Sequence, residues 1–383
     1  MTGASLNGIY INFFERAGYS PEEIDKRLSD IFDTMFFGPE DERIYHETGD
    51  MGYMVDTGNI DARTEGMSYG MMMCVQLDHK EEFDRIWKWA RTYMYLDSGR
   101  NKGYFCWSNS LDGTKNAQGP APDGEEYFAM ALLFASHRWG DGEGIFEYSR
   151  EACDLLHNMI RPDSDEGRGM FDRDNHLIRF ITEVDFTDPS YHLPHFYELF
   201  SQWAYPDDRT FYARAASASR EFLHRACHEK SGLCSEYSYY DGTPYEKGTE
   251  IWGKHDWYYS DAYRTILNIA MDHIWFAKDK WQEEEGAVFL RYMCEKISDD
   301  EWNKVLDVDG KVRSEDVLHP IAVIATNATA YALACEDPEA EKNALHCIRR
   351  FWDTPLRKGD RRYYDNCLYL FAFMLLAGRY RIW

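Results

Sequence analysis

The sequence predicts an all-α fold, an (α/α)6 barrel with six inner and six outer helices, and three observations predict it. Period and capping signals divide the chain into about twelve helical segments. These segments alternate between amphipathic and wholly apolar. No Pro/Ser/Gly-rich linker interrupts the pattern and no short repeat suggests a solenoid, so residues 1–383 read as one catalytic-sized domain.

The first segment opens at Ser20-Pro21-Glu22-Glu23, where Ser20 can cap, Pro21 suits the first turn and Glu23 completes a capping box. Later segments start near residues 64, 80, 124, 146, 191, 207, 260, 279, 319, 338 and 362. The outer kind is represented by Glu81-Glu82-Phe83-Asp84-Arg85-Ile86-Trp87, by Asp207 to Arg214, and by Trp281-Gln282-Glu283-Glu284-Glu285 running into Val288-Phe289-Leu290. Each has one apolar stripe and one wet face. The inner kind includes Gly70 to Val75, Phe128 to Ala135, Ile321 to Ala325 and Cys367 to Leu376. A helix with no wet face must be covered on all sides. Short connections then point all six inner helices the same way, and the loops entering them meet at one end of the barrel.

The polar residues sit at those entrances. They read Asp61-Ala62-Arg63-Thr64-Glu65-Gly66, Pro120-Ala121-Pro122-Asp123-Gly124-Glu125, Asp188-Pro189-Ser190-Tyr191-His192, Tyr258-Tyr259-Ser260-Asp261-Ala262-Tyr263-Arg264 and Asp316-Val317-Leu318-His319-Pro320. Carboxylates at helix N-termini also serve as caps. Asp123, with Glu126 three residues on, fits a capping box as well as a functional site. For Glu65 and Asp261 the capping role falls more naturally to Thr64 and Ser260 beside them. Gly66, Ser68 and Gly70 leave room near Glu65 for something bulky. Two carboxylates facing one aromatic-lined cleft point to glycoside cleavage, in which one is protonated to donate and the other ionised to activate water or attack. Burial raises the pKa of the donor.

Composition narrows the partners. A net charge of -25 repels nucleic acid, whereas a neutral sugar is indifferent to that field. Aromatics make up 16% of the chain, suited both to a helical core and to stacking on pyranose rings. No apolar run is long enough to span a bilayer, and Met1 to Phe14 lacks the pattern of a secretory leader. Nine cysteines, an odd number without a CxxC, fit free thiols in the cytoplasm.

The run Arg63-Thr64-Glu65-Gly66-Met67-Ser68-Tyr69-Gly70-Met71 resembles the signature around the general acid of glycoside hydrolase family 8, and the resemblance extends over nearly the whole chain. It implies an inverting enzyme on an (α/α)6 barrel, with Glu65 as general acid and Asp261, in Tyr-Ser-Asp-Ala-Tyr-Arg, as general base. It further implies that Asp123 binds and distorts the sugar, that Tyr191 holds the attacking water, and that Arg264 accompanies the base. Trp107 resembles a substrate-stacking tryptophan, and Arg63 joins the substrate contacts. Leu318-His319-Pro320 resembles the kinked loop of the reducing-end xylose-releasing exo-oligoxylanases, in which the histidine meets the free anomeric hydroxyl. The expected substrate is therefore a xylo-oligosaccharide, with no cofactor and no metal. The alternatives are an endo-acting xylanase, glucanase or chitosanase of the same family, and a sugar epimerase using His192 and His319.

Other signals carry less. His192 and His195, split by Pro194, read as structural or sugar-binding rather than as metal ligands. Asp163, Asp165, Asp172 and Asp174 miss the spacing of a calcium loop and read as surface. Asn327-Ala328-Thr329 fits a glycosylation pattern inside a helix expected to be buried.

Overall fold

The structure is a computed structural model that describes residues 2–246, 255–334 and 337–383. Two short turns, α1 (Ala4–Asn7) and α2 (Phe13–Arg16), come first. The pairs α3 (Pro21–Phe37) and α4 (Thr64–Leu77), α5 (Lys80–Trp89) and α6 (Pro122–Trp139), and α7 (Tyr148–Ile160) and α8 (Pro194–Trp203) follow. Then come α9 (Arg209–Ala226) and α10 (Tyr263–Trp275), and α11 (Trp281–Arg291) and α12 (Pro320–Thr329). A short α13 (Tyr331–Ala334) leads to α14 (Pro338–Asp353) and α15 (Arg362–Leu376).

The inner members are in contact in the cyclic order α4, α6, α8, α10, α12, α15 and back to α4, so the ring closes. The outer members lie against them: α5 on α4, α7 on α6, α9 on α8, α11 on α10, α14 on α12 and α3 on α15. Burial follows the sequence pattern. Every residue of α15 and of α10 is buried, whereas α3 buries only the stripe Ile24, Leu28, Ile31, Phe32, Met35 and Phe36. The predicted Ser20–Glu23 capping box is formed, with Pro21 in the first turn. Met71, Met72 and Met73 are core, and Asn327 is fully buried inside α12.

Two helix starts fall later than predicted, for local reasons. Residues Pro189–Tyr191 and Ser260–Ala262 form 3-10 turns instead of the first turns of α8 and α10. Leu193 precedes Pro194 and is held out of the helical region, so α8 begins at the proline. Ser260 has a positive φ of 42°, which no helix interior accepts.

Among the described residues, seven short strands modify the all-α expectation without changing the architecture. They are the hairpin β1 (Tyr45–Thr48) and β2 (Met51–Met54), the pair β3 (Asp61–Arg63) and β4 (Ser108–Ser110), and the sheet of β5 (Trp257–Tyr258), β6 (Lys304–Asp307) and β7 (Val312–Asp316). β3 runs directly into α4 and β5 leads to α10, so strand pairing braces two of the entrances. No helix among the described residues is long and apolar enough to cross a membrane. Among the described residues, Cys74, Cys106, Cys153, Cys227, Cys234 and Cys367 are buried free thiols. Cys335 lies outside the described residues.

Candidate active site

At the α4 entrance, Arg63 ends β3 opposite Ser108, and the Thr64 N–H donates to the Trp107 carbonyl at 3.0 Å. The strand pair thereby sets Trp107 beside Glu65. Thr64 does not cap: its hydroxyl is buried without a partner, because the chain enters the helix from a strand and not from a turn. The space at Gly66 is taken by the protein itself. A Cβ there would stand 2.6 Å from the Tyr363 ring, so only glycine lets that phenol reach Glu65.

At the α6 entrance the capping-box reading of Asp123 also gives way. Asp123 Oδ1 accepts its neighbour Gly124 N–H at 2.9 Å while Oδ2 accepts from Arg264 at 2.9 Å. Glu126 is paired instead with the Tyr197 hydroxyl. At the α10 entrance Ser260 makes no cap either, and its left-handed backbone turns Asp261 toward the cavity. Arg63, Glu65, Trp107, Asp123, Tyr191, Asp261 and His319 all line one cleft of about 490 Å³.

Arg264 is the floor on which the carboxylates meet. Its Nη1 donates to Glu65 Oε2 at 2.9 Å, to Asp123 Oδ2 at 2.9 Å and to the Tyr69 hydroxyl at 2.8 Å. Its Nη2 faces Asp261 Oδ1 at 3.2 Å and Asp188 Oδ2 at 3.9 Å, and Nε donates to Ser190 Oγ at 3.2 Å. Burial works to lower the pKa of this guanidinium, but the groups around it, Asp261 foremost, outweigh that and fix it as a cation. Burial pushes the Glu65 carboxyl up to about 8 against the pull of Arg264, with the charges of Asp123 and Asp261 adding to the rise. Asp123 and Asp188 are raised for the same first reason. One carboxyl that holds its proton near neutrality and a second on the same cation is the arrangement that acid–base cleavage of a glycoside needs.

The remaining predicted residues take distinct places. Arg63 is engaged by Asp56 and Asp61, each at 3.1 Å, and its guanidinium lies 5.3 Å from the Trp107 ring centroid. Its guanidinium is thus shared between two carboxylates and the Trp107 ring while still lining the cleft. Tyr191 is packed against Phe180, its ring 5.4 Å from the Arg264 guanidinium carbon. His319 closes one wall with Leu318. Asp365 fixes that wall, since its Oδ2 meets His319 Nδ1 at 3.2 Å and Arg357 Nη1 at 2.5 Å. Arg357 Nη1 in turn donates to the Leu318 carbonyl at 2.8 Å. His192 is absent from the cleft lining. Both its ring nitrogens are used, on Thr187 and Ser219 at 2.9 Å, and it stacks on Phe222. A His192/His319 pair for epimerisation is therefore not assembled. His195 packs against Trp275, and Asp172 is taken by Arg179, Asp174 N–H and Asn175 N–H.

The sequence reading misses the sixth entrance, Arg362-Tyr363-Tyr364-Asp365. Tyr363 donates to Glu65 Oε1 at 2.7 Å, Tyr364 to Asp261 Oδ1 at 3.3 Å, and Asp365 meets His319. The rule that found the other five entrances would have found this one. Glu236, a buried carboxyl paired with His255 and close to Asp261, is missed as well, and no local pattern marks it.

Comparisons with known proteins bear out the family and the fold. The sequence profile of the Glycosyl hydrolases family 8 matches residues 46–376. A reducing end xylose-releasing exo-oligoxylanase of Halalkalibacterium halodurans is 50% identical over 100% of this chain and 96% of its own. The reducing-end xylose-releasing exo-oligoxylanase Rex8A of Paenibacillus barcinonensis is 49% identical over 100% of this chain and 98% of its own. The structure of Rex8A complexed with xylose superposes with a TM-score of 0.94 at 48% identity, covering 100% of this chain and 99% of that one.

Proposed function

The chain belongs to glycoside hydrolase family 8, and from that premise we propose that it removes xylose from the reducing end of xylo-oligosaccharides with inversion of the anomeric centre. The observation that carries this reading is the pair of carboxyls, Glu65 and Asp261, on one guanidinium in a cleft walled by Leu318 and His319. Glu65 is the proton donor. Its pKa of about 8 keeps it protonated at neutral pH, and once it has donated, Arg264 and Tyr363 stabilise the carboxylate left behind. Asp261 is the base, with a side chain 23% exposed in the open part of the cleft. It takes a proton from a water held with the Tyr191 phenol, and that water attacks the opposite face of the sugar. Asp123 holds the sugar at the cleavage point and Trp107 supplies a stacking face. His319 receives the terminal anomeric hydroxyl through the nitrogen that Asp365 leaves open. The wall it forms ends the cleft, which favours exo over endo cutting.

We also place the activity in the cytoplasm, as a single catalytic unit over residues 1–383. The buried free thiols suit a reducing compartment. The test is incubation with xylotriose and with xylotriose reduced to its alditol, reading products by NMR. Xylose released from the reducing end, with inverted configuration at the new anomeric centre and a resistant alditol, is expected. Equal cutting of the alditol overturns the exo assignment, and a retained configuration overturns the roles of Glu65 and Asp261.

A further inference from the structure

The first turn of α15 places three consecutive side chains on three different parts of the site: Tyr363 on Glu65, Tyr364 on Asp261 and Asp365 on His319. Tyr364 touches two of those parts at once. Its hydroxyl stands 3.1 Å from the Ser260 carbonyl and 3.3 Å from Asp261 Oδ1, while its ring lies 4.8 Å from the His319 ring. One phenolic proton thus has two acceptors on the same turn, one on the backbone and one on the carboxylate. When Asp261 is ionised the proton serves the carboxylate. When Asp261 has taken a proton from water, the phenol can turn to the carbonyl without leaving its place.

The turn it holds is strained. Ser260 has a φ of 42°, a conformation that non-glycine residues rarely adopt and that persists only when the surroundings enforce it. Enforcement comes from two sides. The buried Glu236 carboxyl, paired with His255, stands near the Asp261 backbone on one, and the Tyr364 hydroxyl donates to the Ser260 carbonyl at 3.1 Å on the other. The Glu236 side is buried against His255, whereas the Tyr364 ring is in contact with the His319 ring. The Tyr364 side is the one that wall can press upon.

The geometry points to Tyr364 as a positioning residue that links occupation of the His319 wall to the placement of Asp261. A xylose seated against His319 fixes the imidazole, the imidazole fixes the phenol ring, and the phenol hydroxyl fixes the strained turn that carries the base. Terminal recognition then contributes to turnover as well as to binding, and a substrate that leaves the wall empty is cut slowly even when it binds.

This inference rests on Asp261 acting as the base, so the experiment separates the two. Steady-state kinetics on xylotriose are measured for wild type, Tyr364→Phe, His319→Asn, the double variant and Asp261→Asn. Tyr364→Phe keeps the ring and its contact with His319 and removes only the hydroxyl. Its kcat is expected to fall roughly tenfold, the rate equivalent of one hydrogen bond to a charged group, with KM within about twofold of wild type. The loss in the double variant is expected to be smaller than the product of the two single losses, because without the hydroxyl His319 has nothing to pass to the base. An unchanged kcat in Tyr364→Phe, a change confined to KM, or single losses that multiply would each overturn the link. If Asp261→Asn retains turnover, the assignment of the base fails instead, whatever Tyr364→Phe does. Should Tyr364→Phe fail to fold, Ser260→Gly relaxes the same turn from outside the phenol. A fall in kcat at constant KM then supports the inference, and an unchanged kcat overturns it.

Discussion

Glu65 and Asp261 share a guanidinium, yet the chain delivers them to it differently. Glu65 comes off a strand into the second residue of a buried helix, with Gly66 behind it and a phenol pressed against one oxygen. Asp261 comes off a left-handed residue into a 3-10 turn, nearer the open cleft, held by the backbone on one side and a phenol on the other. The same cation meets both. Desolvation dominates at Glu65 and lifts it to about 8, whereas the Asp261 side chain is 23% exposed. On the proposed reading, two chemically similar groups take opposite roles from their surroundings and not from their identity.

The largest effect should come from removing either role. Glu65→Gln and Asp261→Asn are each expected to lower kcat about a thousandfold with the fold intact by circular dichroism. A loss in only one of them would break the comparison, since both roles are then not required.

Next in size is the pH response. Glu65 must hold its proton to donate it, so kcat/KM is expected to fall about tenfold per unit as pH rises above the Glu65 value of about 8. A rate that stays flat to pH 10 would remove Glu65 from the donor role.

Tyr363→Phe sharpens the contrast further. The Tyr363 hydroxyl favours the ionised form of Glu65, so its loss is expected to move the alkaline limb to higher pH. It should also lower kcat/KM roughly tenfold, because the carboxylate formed after donation loses a partner. Gly66→Ala should give the same limb shift by pushing the Tyr363 ring away, with a larger loss from backbone displacement. A limb that moves to lower pH in either variant would contradict the stated environment of Glu65.

The smallest effect is on stability. A carboxyl whose folded pKa is raised contributes its full stability below the unfolded value, near 4.5, and loses it as pH rises through about 8. Glu65→Gln lacks that slope. Its thermal midpoint should gain on wild type between pH 4.5 and pH 8 by several degrees, measured by calorimetry. A gain that shrinks over that interval would reverse the sign.

The barrel was legible because burial on all sides leaves a helix no wet face, and the apolar runs Gly70 to Val75 in α4, Phe128 to Ala135 in α6 and Cys367 to Leu376 in α15 show this directly. The entrances were legible because polar residues there break an otherwise apolar pattern. Tyr363, Tyr364 and Asp365 were open to the same rule, since Asp365 is a polar residue at an inner-helix entrance, but two tyrosines ahead of the apolar run Cys367 to Leu376 read as core. The strands escaped because two to five residues are too few to show alternation. The capping roles given to Thr64 and Ser260 failed for a reason invisible in sequence: β3 meets β4, and Ser260 takes a positive φ, through contacts with segments far along the chain.

The unequal surroundings of the two carboxyls can be read directly by titrating glutamate side chains labelled with carbon-13 at the carboxyl, using Glu65→Gln to identify the Glu65 signal. The account predicts a midpoint near 8 for Glu65. A midpoint near 4.5, the ordinary value for a solvated glutamate, would contradict it.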